Sequence, residues 1–436
     1  MPKEPLKLCF ILGTRPEIIK LYSVINAAIA HEQVAPLLVH TGQHYDYEMS
    51  QAFLEELQLP ECDYFLNVKS GSHGQQTGAL LSAIEEVLSV EAPDVTAVVG
   101  DTNTVLAGAL ASAKLQIPAA HVEAGCRSFD LDMPEEINRL ATDAISSILF
   151  APSYVSALNL VFEGKSQRQV ILAGNTVVDI VEETTSLRKA NPLSDELRGK
   201  SDVLITLHRQ ENVDSKTRLS ELLQSLNNIK AQMLFPMHPR TKKRIEEFDL
   251  QDLVESNSNL HVINPLNYLT FMKVLERAQI VITDSGGVQE EAIMLGTPCV
   301  TARDTTEWPE TVWAGGNHLA GREANNVAKL TNDLLKKIES HPFVPINPFK
   351  GNAGPTIVDT LVQQWKKGTL KPEKPDMQLG KYPLPWVLTG TKHFETFYTS
   401  LRVDQEGKPI LDLKRKADRQ VVRRLRKWDD MFQDMK

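Results

Sequence analysis

The chain has 436 residues, a formal net charge of −9, and 42% apolar against 24% charged residues. That length exceeds one ordinary core and calls for two domains with an appendage, and the acidic excess argues against general nucleic-acid binding. No run approaches the roughly 20 apolar residues that cross a bilayer, which excludes stable membrane insertion by a helix.

Leu6–Leu12 contains Lys7 and leads straight into Gly13-Thr14-Arg15-Pro16-Glu17, so it reads as a first strand rather than a secretory signal. Further strands are expected at Ala35–Thr41, Val95–Gly100, Ala119–Val122, Ser147–Ala151 and Gln169–Ala173. A second set follows at Asp202–Thr206, Gln232–Met237, Leu260–Ile263, Ile280–Thr283 and Cys299–Ala302. Near-continuous apolar strands separated by helical patterns imply parallel sheets covered on both faces. The fold class is therefore α/β, with two Rossmann-like doubly wound domains at 1–174 and 175–365, the last helix returning to the first domain. Residues 366–436 change character. Pro372, Pro375, Pro383 and Pro385 make an extended connection, and Leu413–Phe432 repeats apolar residues at helical spacing beside a basic face. The four cysteines (Cys9, Cys62, Cys126, Cys299) lack metal-ligand spacing, which fits reduced, buried thiols in a cytoplasmic protein.

Strand ends carry the chemistry. After the first strand, Gly13 permits a tight turn, Pro16 opens a helix, and Arg15 sits among free N–H groups where an anion is favoured. Lys20 follows about one turn later. Asp101 ends the Val95–Gly100 run, where it also suits a helix N-cap, and Glu123 ends the next strand, where burial costs free energy unless it is paired. Glu135 opens the helix of Met133-Pro134-Glu135-Glu136-Ile137-Asn138-Arg139. Moving a proton off one face of a carbon and onto the other needs at least two acid/base groups, and carboxylates with raised pKa values suit this.

The second half supplies anion ligands. His208 and Arg209 follow one strand, and His238 and Arg240 follow the next. Asp284-Ser285-Gly286-Gly287 then turns from a strand into a helix, so Ser285 and the N–H groups of Gly286 and Gly287 can cradle a diphosphate. Glu291, one turn on, is placed to accept hydrogen bonds from ribose hydroxyls.

These residues together resemble the non-hydrolysing UDP-N-acetylglucosamine 2-epimerases. The likeness runs from Lys7 to Trp365 through Gly-Thr-Arg-Pro-Glu (13–17), Thr-Gly-Gln-His (41–44), Gly-Asp-Thr (100–102), His-Val-Glu-Ala-Gly (121–125), Pro-Glu-Glu (134–136), Asn-Arg (138–139), Asp-Ser-Gly-Gly-Val-Gln-Glu-Glu (284–291) and Arg-Asp-Thr-Thr-Glu (303–307). The resemblance implies a GT-B arrangement, a UDP-sugar substrate, no metal or redox cofactor, a homodimer, and elimination of UDP to a 2-acetamidoglucal followed by re-addition. It makes Asp101, Glu123, Glu135 and His208 the catalytic candidates. Arg15, Lys20, Arg139, His238, Phe271, Ser285, Gly286, Gly287 and Glu291 become substrate ligands, with Phe271 near the uracil.

The stretch 43–50 and Ser70-Gly71-Ser72-His73 are similar to the branch that includes archaeal enzymes and enzymes of 2,3-diacetamido uronic acid nucleotides, which makes allosteric activation by a second UDP-N-acetylglucosamine unexpected. Trp308 stands where many members carry Arg, removing a cation near the nucleotide. A 2-epimerase of UDP-2,3-diacetamido-2,3-dideoxy-glucuronate, a hydrolysing epimerase and a GT-B glycosyltransferase are the rival readings.

Overall fold

The computed structural model describes residues 4–42, 47–69, 71–166, 168–194, 197, 202–340, 345–371, 402–403 and 409–410. The motif residues 43–46, Ser70 and the basic helical pattern at 413–432 lie outside them, as do the side chains of 47–50.

The first sheet contains β1 (Leu6–Leu12), β2 (Val34–His40), β3 (Tyr64–Phe65), β4 (Val95–Val99), β5 (Ala119–Val122), β6 (Ile148–Ala151) and β7 (Val170–Leu172). The second contains β8 (Val203–Thr206), β9 (Met233–Pro236), β10 (Leu260–Ile263), β11 (Ile280–Thr283), β12 (Cys299–Thr301) and β13 (Asn317–Leu319). Their orders are β3-β2-β1-β4-β5-β6-β7 and β10-β9-β8-β11-β12-β13, and every pairing within them is parallel. Both sheets thus reverse direction beside their first strand, at β1/β4 and at β8/β11. That reversal opens a crevice outside the carboxyl ends, where α/β sheets bind ligands. Together the two doubly wound sheets make the expected GT-B fold.

Burial explains the strands. Every residue of β4, β5, β6, β9 and β11 is buried, as continuous apolar runs demand when helices cover both faces. The two strands of these sheets that the sequence does not signal, β3 and β13, are edge strands of two and three residues, too short to show a periodicity. A small antiparallel ribbon, β14 (Arg402–Val403) with β15 (Pro409–Ile410), packs near helix Pro309–Trp313.

One apolar cluster joins the lobes, running from Leu21 and Ile25 through Val177 and Ile180 to Tyr268 and Leu275. The last long helix, Ala353–Lys367, crosses back onto helix Arg15–Ala30. Gly354 makes that approach possible, since a Cβ there would sit 2.5 Å from the Ser23 carbonyl oxygen.

A buried acid also bridges the lobes. Ser153, which caps helix Tyr154–Phe162, donates its hydroxyl to Glu310 on helix Pro309–Trp313. Burial pushes the Glu310 carboxyl up to about 7 from 4.5. The folded chain therefore holds a proton that the unfolded chain releases, so this group's stabilisation is full below about 4.5 and is lost as pH rises through 7. We expect Glu310→Gln to flatten the fall in stability between acid and mildly alkaline pH, by on the order of 1–3 kcal/mol. Identical pH slopes for the two proteins in chemical denaturation would rule Glu310 out as the source.

Candidate active site

The site is built at the two switch points. Where β1 ends, Glu17 reaches back as the acidic half of a capping box, its Oε2 accepting from the N–H groups of Gly13 at 2.5 Å and Thr14 at 3.0 Å. The Thr102 hydroxyl donates to the other oxygen, so Glu17 ties the end of β1 to the end of β4. Burial pushes Glu17 up to about 7 against those three donors, with the Asp101 charge adding to the rise. The sequence reading quoted Glu17 without a role. Its three-residue spacing from Thr14 was the signal.

Asp101 does not cap the following helix. Thr102 does, accepting from the Thr104 N–H. Asp101 instead takes a hydrogen bond from Arg139, and Asn138 donates to the Asp101 carbonyl at 2.9 Å. Glu123 leaves β5 in the left-handed region at φ +68, a conformation costly for a residue with a side chain. Its Oε1 lies 2.6 Å from Lys20 Nζ, and both side chains are largely buried. Burial raises the Glu123 carboxyl above its ordinary range, while the Lys20 charge pulls it back. Gly125 secures this loop, because a Cβ there would meet the Ser156 carbonyl oxygen at 2.2 Å. Behind it, His121 spans from Asp143 at 2.6 Å to the Gly100 carbonyl at 2.8 Å, locking the ends of β4 and β5 together.

Glu135 faces the other lobe, where Arg209 meets it at 2.9 Å. Its neighbour Glu136 is structural, accepting from the Ser128 and Phe129 N–H groups and from Arg139. Arg139 reaches further, to 3.6 Å from Glu307, which Arg303 also grips with two bonds of 2.9 Å. Burial alone would raise Glu307, but Arg303 and Arg139 hold it well below the usual carboxylate range. Lys20 and Arg139, expected as substrate ligands, are thus both committed to carboxylates.

In the second lobe Asp284 ties β11 to β8, accepting from the N–H groups of His208 at 3.0 Å and Arg209 at 2.9 Å. Burial lowers the His208 pKa, Asp284 opposes this, and the Arg209 and Arg240 charges add to the fall. His238 caps helix Pro239–Glu247 and lies 5.2 Å from the His208 ring, centroid to centroid. Burial lowers its pKa to about 4. Arg240, read as part of an anion site, pairs instead with Asp214. Ser285 caps helix Gly286–Leu295, accepting from the Val288 N–H, and space beside Gly287 is open. Burial pushes Glu291 up to about 7. Phe271 sits half-buried on helix Tyr268–Arg277. Arg15 stacks over the Phe53 ring at 4.7 Å and has no carboxylate partner among the described residues.

The structure therefore brings the carboxylates of the first lobe to the His208 turn of the second, joined by Arg209 and by the Arg139–Glu307–Arg303 chain. No group of metal-ligating side chains occurs among the described residues, and no described helix is long and apolar enough to cross a membrane.

A family profile described as UDP-N-acetylglucosamine 2-epimerase matches residues 26–362. A Methanocaldococcus jannaschii protein named UDP-N-acetylglucosamine 2-epimerase is 46% identical over 367 residues, covering 82% of this chain and 99% of the relative. A Pseudomonas aeruginosa protein named UDP-2,3-diacetamido-2,3-dideoxy-D-glucuronate 2-epimerase is 42% identical over 339 residues, covering 76% of this chain and 93% of the relative. The crystal structure of the M. jannaschii enzyme in complex with UDP-GlcNAc and UDP matches with a TM-score of 0.76 at 44% identity, over 82% of this chain and 100% of that one.

The Arg209–Glu135 pair is partly exposed, so its own contribution to stability is small, about 0.2–1 kcal/mol. Its position across the cleft gives it a larger lever on lobe orientation. Arg209→Ala is expected to melt near the parent temperature yet to scatter X-rays as a more open particle. Superimposable scattering curves would remove the bridge from that role.

Proposed function

The chain belongs to the UDP-N-acetylglucosamine 2-epimerase family, and from that premise we propose that it interconverts UDP-N-acetylglucosamine and its manno epimer without net hydrolysis. The observation that carries this is the approach of the first lobe's acids to the diphosphate-type turn of the second: Glu135 bonds Arg209 beside Asp284, Asp101 is joined to Glu307 through Arg139, and Glu123 faces Glu290 on the helix that follows the turn.

The steps balance as an elimination and its reverse. A base takes the C2 proton, the C–H electrons form a C1–C2 double bond, and the C1–O bond breaks with its pair leaving on UDP. A second acid then protonates C2 from the opposite face while a UDP oxygen re-forms the bond to C1. Glu123, raised by burial and held by Lys20, and Asp101, held by Arg139, are the two acid/base groups in this reading. Glu135 supports the second lobe's approach and is the third candidate. Arg15, Ser285 and the N–H groups of Gly286 and Gly287 receive the diphosphate, with His208 beside them. Because burial keeps His208 from protonating readily, it enters as a neutral imidazole that the dianion's arrival can charge. Glu291 and Phe271 take the ribose and uracil.

The Pseudomonas relative's name makes UDP-2,3-diacetamido-2,3-dideoxy-glucuronate the second candidate substrate. The same reading carries a homodimer and a cytoplasmic setting, the latter supported by four cysteines that are all free.

Incubation with each nucleotide sugar in deuterated water should place deuterium at C2 and yield the manno epimer from the true substrate. Transfer of sugar to an acceptor with no C2 exchange would sink the reading in favour of a glycosyltransferase. Asp101→Asn is expected to slow exchange by roughly 10²–10⁴-fold while UDP still binds; parallel loss of both would assign Asp101 to structure.

A further inference from the structure

Glu290 has no part in the reaction as described, yet it is fully buried beside Lys20 and Glu123. It sits on helix Gly286–Leu295, one turn after the diphosphate-type turn, and reaches the first-lobe side of the cleft. There its Oε1 accepts from Asn175 Nδ2 at 2.6 Å. Its Oε2 is buried with no hydrogen-bond partner among the described residues. The nearby cation is Lys20, whose ammonium is already 2.6 Å from Glu123. A carboxylate out of water with one neutral donor and a bare oxygen is costly, and a carboxylic acid in the same place, though its O–H is also unpaired, costs much less.

We propose that Glu290 is a positioning residue that stays protonated, leaving Lys20 to Glu123 alone and thereby fixing the charge on the acid/base carboxylate. The inference rests on the 2-epimerase reading and deepens it. The groups facing Glu290 are Lys20 from the first helix, Glu123 and Cys126 from the loop after β5, and Glu291 on its own helix. Burial and the Glu123 charge both push the Glu290 carboxyl well above its ordinary range, and Lys20 opposes them. With Glu290 neutral, one ammonium matches one carboxylate. If it ionises, two carboxylates compete for Lys20, Glu123 becomes harder to keep ionised, and a second negative charge confronts an anionic substrate. Activity therefore falls as pH rises through the Glu290 ionisation.

The test is the pH profile of C2 deuterium exchange for the parent, Glu290→Gln, Glu290→Asp and Asn175→Ala, with melting temperature recorded for each. Glu290→Gln should move the alkaline limb up by about one pH unit or more, because the ionisable group is gone. Glu290→Asp should restore a limb. Asn175→Ala removes the donor that favours the ionised form and should also move the limb upward. Alkaline limbs unchanged in both Glu290→Gln and Asn175→Ala would overturn the inference. So would a folded Glu290→Gln that is inactive at every pH, because that outcome requires an ionised carboxylate. If Glu290→Gln fails to fold, the Asn175→Ala profile decides. A parent protein that shows no C2 exchange removes the 2-epimerase reading itself, and this is seen before any variant is compared.

Discussion

A carboxylate taken out of water must be matched by a cation or by converging N–H groups, and the cleft of this protein takes several out of water at once. Most of its architecture answers that demand. Arg139 serves Asp101 and Glu136 and reaches Glu307, Arg303 grips Glu307 bidentately, Lys20 holds Glu123, and Arg209 meets Glu135 from across the cleft. Where no cation is offered, as at Glu17 and Glu310, the carboxyls are pushed up to about 7 by burial instead. Lys20 and Arg139, which look from sequence like substrate ligands, each hold a carboxylate in this structure. On the proposed reading, Arg15, the helix N-terminus at Ser285 and the His208 turn receive the incoming anion.

The two sheets explain why these groups can converge at all. The acids stand at the ends of β4 and β5 and on the helix that follows, and Asp284 and His208 stand at the ends of β11 and β8. Identical strand orders put equivalent crevices at β1/β4 and β8/β11, and the continuous apolar cluster through Val177 and Tyr268 turns those crevices toward each other. A reaction that parts UDP from the sugar and rejoins them gains from this division, since each fragment can be held by its own lobe while the lobes stay together.

Periodicity and strand-end motifs made the α/β class and the strands of both lobes legible, because buried parallel strands announce themselves as unbroken apolar runs. Short edges did not: Tyr64–Phe65 and Asn317–Leu319 are too brief to show a period. In the candidate site, the strand-end places of Asp101, Glu123, His208 and Ser285 and the helix-opening place of Glu135 were legible. Pairing was not, because which cation faces which acid is decided by three-dimensional approach. Arg303 and Glu307 are four residues apart and were visible only as a motif, while Arg139 and Asp101 are 38 apart and Ser153 and Glu310 are 157 apart. Asp101 as an N-cap was a fair local expectation that lost to Thr102, whose shorter side chain reaches the Thr104 N–H while Asp101 turns to Arg139.

Trp308 shows how one substitution reads differently in space than in sequence. As a lost cation beside the nucleotide it suggests a weaker anion site. In the structure the indole is buried edge-on against Phe349, within an apolar cluster with Cys126 and Val178, and its Nε1 lies 3.8 Å from where a Cβ on Gly286 would stand. The residue thus forms the dry wall behind the start of the cradle helix. A dry wall lowers the local dielectric, and lower dielectric strengthens the helix dipole, the free N–H groups and Arg15 against the same phosphate oxygens. On the proposed reading, dryness at this wall offsets the cation that Trp308 does not supply. Farther along the same helix, burial likewise pushes the Glu290 and Glu291 carboxyls up, so the cradle helix leads from a dry start into a run of acids held out of water.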